Sequence, residues 1–282
     1  MLFKAAARFV VFISLFALIS TVLPGRQASA QTASAGVSSI QSFKIFYGTP
    51  TKTILDNMQK YNMVVIEPTA YTADQISYIK SRGTIVIGYT SVMEMNAGDK
   101  TVAPNVVEDD YFKKNGSKVL FGQWNSYLMD ISKSHYQEAL LNRIKTQISD
   151  KGIDGVFLDT VGRIDSYFTD PAQQAAMRSG YEQLLTQIKS NHPQLSLIQN
   201  RAFETLKAIS IRYVNGVLWE DFVYKTVSKD AWSKKWISYL QDNQKNNGLL
   251  VLATVPDTKS QDYSKKLNFI PSLNPNDVYN KW

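Results

Sequence analysis

Ile153-Asp154-Gly155-Val156-Phe157-Leu158-Asp159-Thr160 is the stretch on which the fold turns. Four uncharged residues in a row, three of them bulky and apolar, lead into an acid. A continuous apolar run of this length suits a strand buried on both faces of a parallel sheet. A carboxylate has no place inside such a strand, so Asp159 marks its C-terminal end. Asp154 precedes the run and belongs to the opposite rim.

Working outward, seven similar runs occur at 43–47, 63–67, 84–89, 195–200, 216–220, 249–254 and 267–270. Between them lie amphipathic stretches at 51–60, 72–82, 134–150, 172–190, 203–209, 229–246 and 259–265. Gly83, Gly152 and Gly248 stand where helices end before the next strand. Eight strands alternating with helices over residues 43–282 predict one (β/α)8 barrel domain of the TIM type. No Gly-x-Gly-x-x-Gly follows the first strand and no P-loop occurs, which removes the main support for a nucleotide-binding sheet.

In barrel enzymes the chemistry sits at the C-terminal ends of the strands. Here those ends read Tyr47-Gly48, Glu67-Pro68, Tyr89, Asp159-Thr160, Gln199-Asn200-Arg201, Trp219-Glu220-Asp221 and Thr254, with Asp257 beyond. A single carboxylate at such a place could merely cap the next helix. A whole ring of polar and aromatic residues on one rim points to a site. The apolar run before Glu220 predicts a carboxyl group with a raised pKa, as a general acid needs. Asp221 competes with Glu220, but side chains alternate along a strand and only one of them can face inward; Glu220 is the choice. Asp159 and Glu220 thus form a candidate catalytic pair for cleaving a glycosidic bond. A separation of about 5 Å would mean retention and about 6.5–9.5 Å inversion. Roughly forty residues between the third strand and the next helix, with Glu94, Asp99, Trp124 and Asp130, would wall a substrate groove.

The start of the chain reads differently. Lys4 and Arg8, an apolar run from Phe9 to Leu23 and Ala28-Ser29-Ala30 make a signal peptide over 1–30, with a flexible lead-in at 31–42. Its loss removes Lys4, Arg8 and Arg26 and lowers the formal charge from +7 to +4. That is too mild for a nucleic-acid partner. The expected location is extracellular, secreted or at the cell surface, without stable membrane insertion after cleavage. With no cysteine there is no disulfide, no thiolate nucleophile and no cysteine-bound zinc. His135 and His192 are far apart and read as surface residues, against a Ser-His-Asp triad or a histidine metal site. No motif requires a metal.

The segment 152–160 resembles the signature of glycoside hydrolase family 114, the endo-α-1,4-polygalactosaminidases, whose relatives include spherulin-4-like proteins and Pel-type hydrolase domains. Phe46-Tyr47-Gly48, Val64-Val65-Ile66-Glu67-Pro68, Ile87-Gly88-Tyr89 and Tyr127-Leu128-Met129-Asp130-Ile131 match in the same order. The resemblance implies endo-cleavage of an α-1,4-linked galactosamine or N-acetylgalactosamine exopolysaccharide, of the kind that builds biofilm matrix, with no cofactor. It implies that Asp159 is the nucleophile and Glu220 the acid/base. It also implies that Tyr47, Glu67, Tyr89, Asn200, Arg201 and Trp219 line sugar subsites. A polysaccharide-binding barrel without activity, or a glycosidase for another glycan, are the competing readings.

Overall fold

The computed structural model describes residues 40–282. The signal peptide expected at 1–30 and most of the expected lead-in lie outside the described residues. Eight parallel strands form one sheet in sequential order: β1 Phe43–Phe46, β2 Met63–Ile66, β3 Ile85–Ser91, β4 Gly155–Asp159, β5 Ser196–Asn200, β6 Gly216–Trp219, β7 Leu250–Val255 and β8 Ile270–Leu273. Hydrogen-bonded ladders join each strand to the next, and β8 returns to lie beside β1, so the sheet curls into a barrel. The (β/α)8 reading therefore holds.

Period-two alternation divides the strands between two cores. Phe43, Ile45, Met63, Val65, Ile87, Phe157, Ile198, Leu218, Leu250 and Leu252 point into the barrel and fill it. Val64, Ile66, Val86, Val156, Leu158, Leu197, Val217, Val251 and Ala253 point outward and meet the helices. Each such side chain contributes on the order of 1.5–3 kcal/mol by burial. The inward parity then carries on past the last apolar layer. Residues 47, 67, 89, 159, 200 and 220 continue the inner rows of β1 to β6, and so form the top layer.

The helices are α1 Lys52–Met58, α2 Ala73–Lys80, α3 Ser134–Arg143, α4 Gly162–Ser166, α5 Pro171–Asn191, α6 Phe203–Ala208, α7 Tyr224–Val227, α8 Ala231–Asn247 and α9 Thr258–Lys266. Several carry side-chain N-caps, among them Thr72 on α2, Asp170 on α5 and Asp230 on α8. The helix expected over 134–150 changes character at Arg143 and continues as a π-helix over Ile144–Ser149. Helix α4, which the pattern did not predict, follows β4 after a two-residue turn.

The eighth strand is displaced from its expected place at 267–270. Helix α9 runs on to Lys266, Leu267 caps it, and Asn268 turns the chain with φ +65°. Strand β8 therefore begins at Ile270. It contains Pro271 opposite Ala253 of β7, which suits a strand with one side free of ladder bonds.

The connection from β3 to α3 is a small subdomain. It contains an antiparallel sheet of Glu94–Asn96, Ser126–Leu128 and Leu120–Phe121, and a hairpin of Lys113–Lys114 with Ser117–Lys118.

Candidate active site

Three consecutive strands end in the same manner. Thr160 after β4, Arg201 and Ala202 after β5, and Asp221 after β6 all have positive φ, between 48° and 62°. Non-glycine residues avoid this region, at a cost of roughly 1–3 kcal/mol each, and such strain collects at functional sites. Here the first strained residue after each strand follows an inward polar side chain: Asp159, Asn200 and Glu220. The backbone turns away sharply and leaves that side chain at the mouth of the barrel. Compensating bonds hold the turns. Arg201 N–H donates to the Leu218 carbonyl (2.9 Å), and Asp221 N–H to Thr254 Oγ1 (3.1 Å). Thr160 Oγ1 accepts from the N–H groups of Val92 (3.1 Å) and Met93 (2.8 Å), which ties β4 to the chain leaving β3.

Asn200 stands between the two acids. Its Nδ2 donates to Asp159 Oδ1 at 2.8 Å and to Glu220 Oε2 at 2.9 Å. Those two oxygens are therefore no more than 5.7 Å apart. The other oxygens are held by tyrosines: Tyr89 donates to Asp159 Oδ2 at 3.0 Å, and Tyr279 to Glu220 Oε1 at 2.8 Å. The ring of Tyr47 lies 4.9 Å from that of Tyr89 and 5.6 Å from that of Tyr279. Among the described residues neither acid forms an ion pair. Burial pushes the Glu220 carboxyl above its ordinary value, and the negative charges of Asp159 and Asp221 add to this. The donors Asn200 and Tyr279 oppose it. Burial also raises the phenols of Tyr47, Tyr89 and Tyr279, with the nearby carboxylates adding to the effect, so all three stay neutral.

The acids lie at the floor of a cleft of about 1310 Å³. Its lining carries seven carboxylates (Glu67, Glu94, Asp99, Asp159, Asp165, Glu204, Glu220) against four cations (Lys100, Arg143, Arg163, Arg201). Asp165 and Glu204 pair with Arg178 and Lys235 outside the lining, both at 2.9 Å, so among the described residues Asp159 and Glu220 are the two lining carboxylates without an ion pair. Two exposed indoles stand on its rim, Trp124 at 62% and Trp232 at 45%.

The β3–α3 subdomain forms one wall and is fastened by buried charge. Arg143 donates through Nη1 to Asp99 (3.1 Å) and through Nη2 to Glu67 (3.0 Å). Arg163 Nε donates to Glu94 Oε1 at 2.5 Å, and Ser126 donates to the other oxygen of Glu94. The Tyr136 hydroxyl donates to the Val92 carbonyl at 3.0 Å.

Of the residues singled out in the sequence, Tyr47, Glu67, Tyr89, Trp124, Asp159, Asn200, Arg201 and Glu220 all line this cleft. Glu67 does so with its carboxylate occupied by Arg143 and Thr69. Two expectations need correction. Trp219 is 2% exposed and packs outward on Phe203, Phe222 and Trp232, because its parity is opposite to that of Glu220; it offers no face to a sugar. Asp221 lies past the strand, exposed and outside the cleft lining. Asp257 likewise caps α9 through Ser260 N–H (2.7 Å) and lies outside the lining. His135 is exposed and bonds to buried Asp110 (2.8 Å). Sequence reasoning missed Tyr279, Trp232, Arg143 and Arg163. Trp232, two residues after the N-cap Asp230, was the most accessible of these, because an aromatic there stands on the catalytic rim of a barrel. Tyr279 follows the last strand in a segment without periodicity and gave no signal.

The sequence model of Glycoside-hydrolase family GH114 matches residues 24–252. No curated protein sequence matches the chain. Among solved structures, the fold is similar to the glycoside hydrolase domain of PelA from Pseudomonas aeruginosa, with a TM-score of 0.64 and 19% identity over 85% of this chain and 97% of that one. It is also similar to Ega3 of Aspergillus fumigatus in complex with galactosamine, with a TM-score of 0.62 and 14% identity over 86% and 92% of the two chains. At these identities the structural likeness speaks for the barrel, while the sequence match speaks for the lineage. Most of the chain lies inside that match, Asp159, Asn200 and Glu220 included, and the protein therefore belongs to glycoside hydrolase family GH114.

Proposed function

We propose that this glycoside hydrolase is an exported endo-enzyme that cuts α-1,4-linked galactosamine polymers, with Asp159 as nucleophile and Glu220 as acid/base. The observation that carries the reading is the pair of carboxylates joined through one Asn200 amide group in an open cleft.

Each role has its own support. Asp159 receives hydrogen bonds from Asn200 and Tyr89, which orient it towards the cleft. Burial raises the pKa of Glu220 above the ordinary carboxylate value, the direction a proton donor needs. The limit of 5.7 Å between the bridged oxygens fits the spacing of about 5–5.5 Å used by retaining enzymes, and leaves little room for the water an inverting enzyme needs between them. In the first step Asp159 attacks the anomeric carbon. The bond to the leaving oxygen breaks, and Glu220 protonates that oxygen. In the second step Glu220, now ionised, takes a proton from water. The resulting hydroxide oxygen bonds to the anomeric carbon and the Asp159 ester bond breaks, which returns both acids to their starting states.

The substrate assignment rests on charge and on likeness. Asp159, a carboxylate without an ion pair among the described residues, favours a sugar bearing a protonated amine beside it. The Ega3 structure holds galactosamine. Exposed Trp124 and Trp232 offer apolar faces on which sugar rings could stack along a chain. Export is supported by the pattern of residues 1–30, and no described helix is long and apolar enough to cross a membrane.

The test is to incubate the protein with partly deacetylated α-1,4-galactosamine polymer and follow the products by mass spectrometry and proton NMR. Internal cuts giving short oligosaccharides whose new reducing ends first appear as the α-anomer are expected. Cleavage of a different glycan, with this polymer left intact, would overturn the substrate. A first product in the β-form would overturn the retaining mechanism.

A further inference from the structure

Seven of the eight strand neighbours in the barrel share a ladder, but β8 and β1 share none among the described residues. Residues 274–282 cross that seam. The segment starts on β7, where Asn274 N–H donates to the Val255 carbonyl at 2.8 Å. It then takes the place of a ladder partner for the chain leaving β1: Tyr47 N–H donates to the Tyr279 carbonyl at 2.6 Å. Gly48 leaves space for it, since a Cβ there would come within 2.8 Å of the Asn280 carbonyl oxygen and 2.5 Å of the Phe46 ring. Beyond the seam, Trp282 packs edge-on against Phe46 and Tyr61, with ring centroids 5.5 and 6.0 Å away. Phe46 points away from the barrel interior, so this anchor lies on the outer side of β1.

Between its two anchors the segment sends one side chain inward. The Tyr279 hydroxyl donates to Glu220 Oε1, while Asn200 of β5 holds Glu220 Oε2. Both oxygens of this carboxyl group are thereby fixed, one by the barrel and one by the segment outside it.

We propose that residues 274–282 form a strap that closes the β8–β1 seam and positions Glu220 for the reaction through Tyr279. The family match ends at residue 252 and assigns nothing to this segment. The inference rests on the reading of Glu220 as proton donor.

The strap has a consequence in pH. The groups facing Glu220 are Asp159 on β4, Asp221 beyond β6, Tyr47 beyond β1, Asn200 on β5 and Tyr279 itself. Burial and the two aspartates hold the proton on Glu220, whereas the Tyr279 hydroxyl favours the ionised form. Removing that hydroxyl raises the pKa further. The alkaline limb of kcat/KM, where the acid loses its proton, then moves to higher pH.

The experiment compares kcat, KM and the pH profile on the galactosamine polymer for wild type, Tyr279→Phe, Trp282→Ala and Glu220→Gln. Tyr279→Phe is expected to lower kcat by roughly 10-fold to 100-fold, in the range of a small misplacement, with KM nearly unchanged and the alkaline limb moved upward. Trp282→Ala touches neither acid and is expected to move the same limb in the same direction by less. If Glu220→Gln is inactive but both strap variants keep the wild-type limb and kcat, the segment merely packs and the inference fails alone. If Glu220→Gln retains turnover, the reading on which it rests falls as well.

Discussion

Asn200 has two amide protons and gives one to each acid, a geometry that neither a hydroxyl nor a carboxylate could copy. Its substitution by alanine frees both carboxylates to drift. The expected result is a loss of about 10²-fold in kcat/KM, typical of displacement by an ångström. A loss below about threefold by steady-state kinetics would remove Asn200 from this role. Glu220 itself works against stability. Its folded-state pKa lies above the ordinary 4.5, so the folded protein binds the proton more tightly. Stability is then highest below the unfolded value and falls as pH rises through the raised one. Glu220→Gln is therefore expected to melt at or above the wild-type temperature at pH 7, with the difference closing as pH falls towards 4.5. A variant less stable than wild type at pH 7 in calorimetry would contradict this. The two rim indoles and the buried one separate cleanly as well. Trp219→Ala empties a packed site and is expected to cost about 3–5 kcal/mol of stability. Trp124→Ala should leave the melting temperature in place and raise KM for long chains. The opposite pattern in melting and kinetics would mean that the two tryptophans had been assigned the wrong way round.

At the scale of elements, the β3–α3 subdomain is the part whose placement depends most on a few charges. Arg143 is 3% exposed and ties Asp99 of the subdomain to Glu67 at the end of β2. Removing the cation leaves two carboxylates facing one another at the cleft wall. Both are about a quarter exposed, so the lower end of the usual range for a broken buried pair applies. Arg143→Ala is expected to cost about 3 kcal/mol in urea unfolding and to loosen the wall carrying Trp124. A change below about 0.5 kcal/mol would show that the wall is held by its apolar contacts instead. Arg143 also explains why it escaped sequence reading. It sits inside a helix pattern, where an arginine ordinarily faces solvent, and its partners are 44 and 76 residues away. Strand β8 was misplaced for a comparable reason. Leu267 and Phe269 read as the start of a strand, but they close helix α9, and that distinction lies in the left-handed turn at Asn268.

At the scale of the whole molecule, the barrel was legible because burial on both faces leaves seven strands as apolar runs that no other element produces at this spacing. Once the strands are located, the rim follows from parity alone, and with it Tyr47, Tyr89, Asp159, Asn200 and Glu220. Trp219 was the exception within that logic, since alternation places it outward when Glu220 is inward. What the sequence could not convey is closure. The seam between β8 and β1 is covered by residues 274–282, which have neither helical nor strand periodicity. Tyr279 reaches Glu220 only because the ring of strands brings its two ends together, 59 residues apart in the chain. The central claim is that Asp159 and Glu220, held in common by Asn200, cut a galactosamine polymer. The most direct measurement is product release from that polymer by wild type, Asp159→Asn and Glu220→Gln, with melting temperatures recorded in parallel. Oligosaccharides from wild type alone, with both variants folded, are the expected result. Turnover near the wild-type rate in either folded variant would contradict the account.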